Sequence, residues 1–312
     1  MRHWLLLVFL AVAVAAGCAE RRPSPLETGG VRLKYEVGEW DGPGDAPDRL
    51  EVCRAIERRL DDPNLPPVLA RPAGEKHVEV LVGGERAVED NPRLETIKSR
   101  LARTGTLSFQ ILANERDHAA IIEKALKTKE REVRDEKQIL ARWIEVAADS
   151  EGKPKVESHG DTVSRQVEED GKPKAAANGD EIHEFLVIED APEARVTGQY
   201  LVRASSTTDE TGRPAISFTF NELGGAKFQL LTSRNRPRED GTTRQLGIIL
   251  DGRLHSAPRL RAVVSTTGQI TGRFTPQEAD DLAAILNAGA LPRLTLVETT
   301  LFEPVGSEPA TE

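Results

Sequence analysis

Apolar and polar positions alternate from Val31 to Val37, with Val31, Leu33, Tyr35 and Val37 on one side, which predicts a strand with one buried face. A loop rich in Gly, Pro and Asp runs on to Pro47. From Pro47 to Leu60 the period changes: Leu50, Cys53, Ile56 and Leu60 recur at helical spacing, with Arg and Glu on the outer face. Pro63, Pro66 and Pro67 end that helix. Val68-Leu69 and Val78–Val82 are strand-like, the second alternating Val78, Val80, Val82 and closed by Gly83-Gly84. Asn91-Pro92 opens another helix, with Leu94, Ile97 and Leu101 facing in and Gly105 at its end. Leu107 to Leu112 reads as one more strand. The order is strand, helix, strand, strand, helix, strand.

That order is the split β-α-β pattern, so residues 31–112 are expected to form a ferredoxin-like base domain. Residues 113–183 read as a charged helical and loop insertion. Ile121, Ile122, Ala125 and Leu126 mark a helix through Lys129. Glu130 to Lys137 is nearly all charge, a solvated helical face or connector. Arg142 to Val146 suits either a helix or a strand. Ser150 to Asp180 is too poor in apolar residues to offset its ordering entropy, and is expected as a mobile loop.

The patterning sharpens again after residue 184. Phe185–Ile188 is a strand, Tyr200–Ala204 and Ala215–Phe220 flank a turn at Asp209–Gly212, and Glu222–Ser233 is a helix weakened by Gly224-Gly225. Leu246–Leu250 then leads into Asp251-Gly252, a dipeptide that tolerates the positive φ angles of a tight hairpin. Arg253–His255 is the return strand, cut short by Pro258 within Ser256-Ala257-Pro258. A short strand over Gly268–Gly272 precedes a helix whose every boundary is signalled. Thr275 caps it, Pro276 fits its first position, Glu278 completes a capping box, Gly289 suits the left-handed cap, and Pro292 blocks continuation. Leu294–Phe302 closes this second domain, expected over 184–303, before a polar tail over 304–312. The fold class is α+β: a ferredoxin-like base domain plus a second α+β head domain.

Composition narrows the function. The 312 residues carry a net charge of −9 with no basic stripe, which argues against a nucleic-acid partner. Aromatics make up only 4%, so the cores are expected to be mostly aliphatic. The six histidines, His3, His77, His118, His159, His183 and His255, show no metal-ligand spacing, and no phosphate-cradling loop or G-x-S-x-G elbow occurs. Asp251, His255 and Ser256 are the one tempting triad. On a hairpin, however, Asp251 belongs to the turn and His255 and Ser256 point to opposite faces. The chain reads as no enzyme, with no cofactor and no metal.

At the amino terminus, Arg2 and His3 precede an apolar run of about fourteen residues, short of the roughly 17–25 that span a bilayer. Residues 1–17 are therefore read as a signal peptide and 18–30 as a tether. Val14-Ala15-Ala16-Gly17-Cys18 resembles the bacterial lipoprotein cleavage box, which makes Cys18 the candidate lipidation site; the alternative is an uncleaved signal anchor. Cys53 lies on a helical apolar face and is expected as a small core residue, with a Cys18–Cys53 disulfide as the other option.

Leu250-Asp251-Gly252, Ser256-Ala257-Pro258, Gly272-Arg273-Phe274-Thr275 with Glu278-Ala279, and Gly289-Ala290-Leu291-Pro292 resemble SecD, the export-translocase subunit, in its first periplasmic domain. Val196-Thr197-Gly198, the Asp209–Pro214 turn, Phe218 and Leu231-Thr232-Ser233 keep the same order. Gly29-Gly30-Val31, Ile56-Glu57-Arg58-Arg59 and Thr104–Phe109 are similar to the base of that domain. Pro63-Asn64-Leu65-Pro66-Pro67 departs from the Gly-Val turn usual in the family. The likeness covers roughly residues 29–112 and 184–300, and it favours a strand at Arg142–Val146.

The resemblance implies a periplasmic domain that catches translocating or unfolded polypeptide and moves, in a subunit powered by proton flow through transmembrane carboxylates. An intramembrane carboxylate needs a membrane segment, and none is read after residue 18, so proton coupling is not expected of this chain. The expected function is a membrane-tethered accessory in the cell envelope, facing the periplasm or the outside. It would bind translocating polypeptide or dock on translocase subunits, held by a lipid anchor or signal anchor. The alternatives are an envelope lipoprotein scaffold that reuses the fold for another protein or a small ligand, and a degenerate SecD paralogue with no remaining role.

Overall fold

The computed structural model describes residues 22–306 apart from positions 41–45, 87, 137, 150, 158–159, 170–171, 176–178 and 192–193. The signal peptide and Cys18 lie outside the described residues. The tether expectation over 18–30 is corrected in its second half. Ser24 and Glu27 form a capping box for α1 (Pro25–Thr28), a signal embedded in a Pro-rich stretch.

β1 (Gly30–Val37) buries Val31, Leu33, Tyr35 and Val37 on one face. α2 (Arg49–Leu60) starts at Asp48, whose carboxylate accepts from Glu51 N at 2.8 Å while Glu51 reaches back to Asp48 N. β2 (Val68–Pro72), β3 (His77–Gly83) and α3 (Pro92–Ala102) follow, the last capped by Asn91. Val52, Ile56, Leu94, Ile97 and Leu101 pack both helices on the face made by Val31, Leu33, Val78 and Val80. Cys53 is buried here as a core thiol, its pKa pushed up to about 11 by burial; the Cys18–Cys53 option involves Cys18, which lies outside the described residues.

β4 (Leu107–Ile111) leads to α4 (Glu115–Leu126), capped by Asn114. β5 (Glu132–Asp135), β6 (Gln138–Glu145) and β7 (Ser164–Gln166) come next, then a two-stranded pair, β8 (Glu168–Glu169) with β9 (Lys172–Pro173). With β10 (His183–Ile188) they form a sheet of order β5-β6-β10-β7. Two expectations for the insertion are corrected. Residues 132–135 are a strand because Val133 alone is buried, between exposed neighbours. The described part of 150–180 is pinned by pairing with β10 and by Asp149, whose carboxylate accepts from Glu151 N and Lys153 N. Burial of Phe185, Leu186 and Val187 on both faces of β10 offsets the poverty of apolar residues around it.

The head contributes β11 (Val196–Thr197), β12 (Leu201–Thr208), β13 (Pro214–Phe220), α5 (Glu222–Arg234), β14 (Leu246–Leu250), β15 (Arg253–Ser256), β16 (Thr267–Thr271) and α6 (Pro276–Ala288). Two sheets, β11-β4-β14-β15 and β12-β13-β16, enclose a core centred on Phe109, Phe218, Phe220 and Phe228. All six pairs among these rings have centroids 5.1–6.0 Å apart. α6 covers the core with Ala279, Leu282, Ala283 and Leu286, and its Asn287 amide bonds both N and O of Ala204, satisfying an edge position of β12.

The last strand among the described residues is β17 (Leu294–Phe302), which corrects both domain boundaries. β17 pairs with β1, so the base sheet has the antiparallel order β17-β1-β3-β2. Leu107–Leu112 does not close that sheet; β4 joins the head between β11 and β14. The reason is chemical: Leu107, Phe109 and Ile111 give one wholly apolar face, whose single ring, Phe109, fits the phenylalanine core. Gly105, at φ 74°, turns the chain out of the base where a Cβ would lie 2.8 Å from Arg59 Nη2. The head and insertion thus sit between α3 and β17 of the base. The whole is α+β.

Candidate functional site

The hairpin at Asp251-Gly252 does more than reverse the chain. Both residues have positive φ, 51° and 73°, the geometry of a type I′ turn. Asp251 Oδ1 accepts from Gly105 N at 2.6 Å, Thr106 N at 3.1 Å and Thr104 Oγ1 at 2.7 Å, gripping the segment that crosses from base to head. Arg59 holds the same crossing from the base side. It is 1% exposed, and it donates to Thr104 O (3.1 Å) and Gly289 O (2.7 Å), and also to Arg100 O and Arg103 O. These carbonyls lie at the ends of α3 and α6, where a buried cation is favoured by unpaired C=O groups. Burial pushes the Arg59 pKa down to about 10, which leaves it charged at neutral pH. Arg100 adds ion pairs of 2.8 Å to Asp62 and to Asp281, joining base to α6.

Beside this junction opens a cleft of about 1060 Å³, bounded by the head sheet, the β6–β10 sheet and the start of β17. Strand alternation builds its floor. Leu107, Phe109 and Ile111 point into the phenylalanine core, so Thr106, Ser108 and Gln110 point out. Thr197, Ser108 and Ile249 pair in one row across β11, β4 and β14. The walls are cationic. Arg103, Arg142, Arg195, Arg253 and Arg293 border the cleft against two carboxylates, Glu189 and Asp251. Glu189 is shared between Arg142 and Arg195, each at 2.9 Å, and Asp251 is engaged by the crossing segment. Arg253 lies 3.5 Å from Glu145 with its side chain more than half exposed, and Arg293 has no carboxylate partner among the described residues.

Four buried polar atoms of the cleft residues lack hydrogen-bond partners: Arg142 Nε and Glu189 Oε2, which are held in ion pairs, and Thr197 Oγ1, on a residue 5% exposed, and His255 Nδ1, which are not. Burial first, then Lys155, Arg103 and Arg253, push the His255 pKa down to about 3, so it is neutral at pH 7. A second cleft of about 780 Å³ lies near Phe274. There Arg273 pairs with Glu157 at 2.8 Å and Lys153 with Glu151 at 2.8 Å, and five carboxylates stand against three cations, so this cleft is net acidic.

The residues singled out in the sequence take structural positions around these features. Ser256 is buried in β15 on the face opposite His255, and Ala257 packs on Leu254 and its neighbours. Pro258 O accepts from Leu246 N at 2.9 Å, so pairing passes the proline through its carbonyl. Glu278 N donates to Thr275 Oγ1 at 3.2 Å and Thr275 N to Glu278 Oε2 at 2.8 Å. Gly289 (φ 87°) ends α6, and Pro292 is buried next to Leu291, whose N donates to Thr104 O at 2.7 Å. Asp251, His255 and Ser256 address three different surroundings. No group of side chains able to hold a metal occurs among the described residues.

Arg59 and Thr197 lie in SecD-like stretches of the sequence that carried no assigned role, and Arg103, Arg253 and Arg293 lie outside those stretches. Arg59 had a signal, since it falls on the apolar stripe of α2 defined by Val52, Ile56 and Leu60. The cleft arginines had none, being spread from 103 to 293 in the chain.

Residues 174–293 match the family model described as SecDF, P1 head subdomain. The protein translocase subunit SecD of Rhodobacter capsulatus is 41% identical over 111 residues, 35% of this chain and 19% of that relative. SecD of Aquifex aeolicus is 42% identical over 97 residues, 31% of this chain and 18% of its own length. The chain thus spans about a fifth of these relatives. Among solved structures, SecDF in a super-membrane-facing form superimposes with a TM-score of 0.52 at 20% identity, over 91% of this chain and 32% of that one. A structure of SecDF described as a membrane component that enhances protein export gives a TM-score of 0.50 at 22% identity, over 86% of this chain and 98% of that one. These structural likenesses concern the fold.

Proposed function

We propose, from the match of residues 174–293 to the SecDF P1 head subdomain and their likeness to SecD, that this chain is a non-enzymatic accessory in protein export, binding translocating or unfolded polypeptide. The observation that supports the reading is the cleft beside the base–head junction. It is open and polar-floored, and it runs along the start of β17, a strand paired on one side only. An extended chain needs such a surface, with unpaired backbone at a sheet edge and room for side chains of varied size. A small-molecule scaffold would call instead for a predominantly apolar, enclosed pocket. In the same reading Cys18 carries the lipid that tethers the protein in the envelope, and the translocase is the docking partner. No helix among the described residues is long and apolar enough to cross a membrane, so the reading assigns them no proton path.

The test is a photo-crosslinking residue placed at Leu296 in the membrane-tethered protein, with Cys18→Ala as the untethered control. Crosslinks to exported chains arrested in transit are expected from the tethered form. Crosslinks to an unrelated envelope complex, with none to exported chains, would sink the reading.

A further inference from the structure

Resting on that reading, we infer that the cleft selects extended polypeptide segments rich in carboxylates. Its five guanidinium groups face two carboxylates, in a chain whose net charge is −9. Both carboxylates are already engaged within the fold: Glu189 by Arg142 and Arg195, Asp251 by the amides of Gly105 and Thr106. Arg253 and Arg293 stand exposed at the rim, the second with no carboxylate partner among the described residues. Arg103 (3.5 Å from Asp251), Arg142 and Arg195 are paired within the fold, so Arg253, loosely placed 3.5 Å from Glu145, and Arg293 are the cations left to meet a ligand. An acidic protein that gathers an excess of guanidinium groups in one concavity focuses a positive potential there.

The walls also favour a peptide over a compact anion. Four consecutive residues, Arg293 to Leu296, border the cleft, which alternating side chains cannot all do from one face of a strand. The edge of β17 therefore faces the opening, and its backbone is available for strand addition. Thr197 Oγ1 is buried without a partner and directed at the floor, ready to donate to a carbonyl or carboxylate oxygen. Ile144, Ile249 and Leu296 supply apolar contact for the stems of Glu side chains. The second cleft, bordered by five carboxylates against three cations, lacks this combination.

The test uses the protein and three fluorescent unstructured peptides of equal length, one Asp/Glu-rich, one neutral and one Lys-rich, read by anisotropy. The acidic peptide is expected to bind about tenfold tighter than the neutral one, the yield of two or three exposed ion pairs, and to weaken as salt rises. The double variant Arg253→Glu/Arg293→Glu, at exposed positions, is expected to remove that preference without shifting the melting temperature, and Arg253→Lys/Arg293→Lys to keep it. Equal binding of the three peptides would overturn the charge selection and leave the polypeptide reading standing. No binding of any peptide would overturn both. Tighter binding of an RNA oligonucleotide than of the acidic peptide would replace the inference by a general polyanion site.

Discussion

The base and the head solve the same packing problem with different chemistry. The base core is aliphatic, with Val31, Leu33, Val78, Val80, Ile56 and Ile97 at its centre and Tyr35 as its one aromatic. The head concentrates four of the chain's eight phenylalanines in a single contact group. Its rings come from residues 109, 218, 220 and 228, so one of them arrives from more than a hundred residues upstream. A core of β-branched residues on alternating strands declares itself in local periodicity. A core assembled from one apolar-faced strand and a distant hairpin does not. The cleft belongs to the second kind, because its floor is the reverse side of the strands that carry those rings.

The sharpest way to break this comparison is to hollow out each core separately. Phe109→Ala is expected to cost about 3–5 kcal/mol, through lost burial and the cavity left among three other rings. Hydrogen exchange should then lose protection over 196–286 first. Ile97→Ala, expected to cost about 2–5 kcal/mol, should release the base strands first. Protection lost everywhere at once in both variants would show a single cooperative unit instead.

A smaller effect sits at the junction. Arg59→Met leaves carbonyls at the ends of α3 and α6 without their buried donor, which should cost about 1–3 kcal/mol in denaturant unfolding. Thr275→Ala removes one cap from α6 and is expected to cost about 1 kcal/mol, read as an earlier midpoint with an unchanged slope.

The finest distinction concerns pH. His255 is held near a pKa of 3 in the fold against an ordinary value of 6.5, so the unfolded chain binds its proton first. Stability is then highest above pH 6.5 and falls progressively as the pH drops toward 3. Lys155, Arg103 and Arg253 face it, all of one sign. His255→Gln should flatten the melting temperature across that window. A variant that keeps the same slope would remove His255 from the account.

What could be read in advance follows the range of the physical signal. The hairpin at Asp251-Gly252 and the ends of α6 rest on contacts within a few residues, and their residue types report them. Leu107–Leu112 and Leu294–Phe302 each read correctly as strands, but their partners were interchanged. Leu107–Ile111 alternates apolar and polar residues, which specifies a face without naming the neighbour, and Leu294–Phe302 buries only Leu294, so its sequence names no partner either. Residues 132–135 looked helical because charge density obscured the single buried Val133. The cleft was illegible for a further reason: arginines at 103, 142, 195, 253 and 293 converge only once three sheets are in place.

The placement of β17 also bears on the order in which the protein is made. Synthesis delivers every ring of the head core, and the helix that covers it, before residue 294 exists. Until then β1 has β3 on one flank and nothing on the other, and the base sheet stands open by one strand. The earliest segment off the ribosome is thus among the last to be finished. Its completing strand pairs with β1 only by closing a loop of more than two hundred residues, the kind of long-range contact that slows folding.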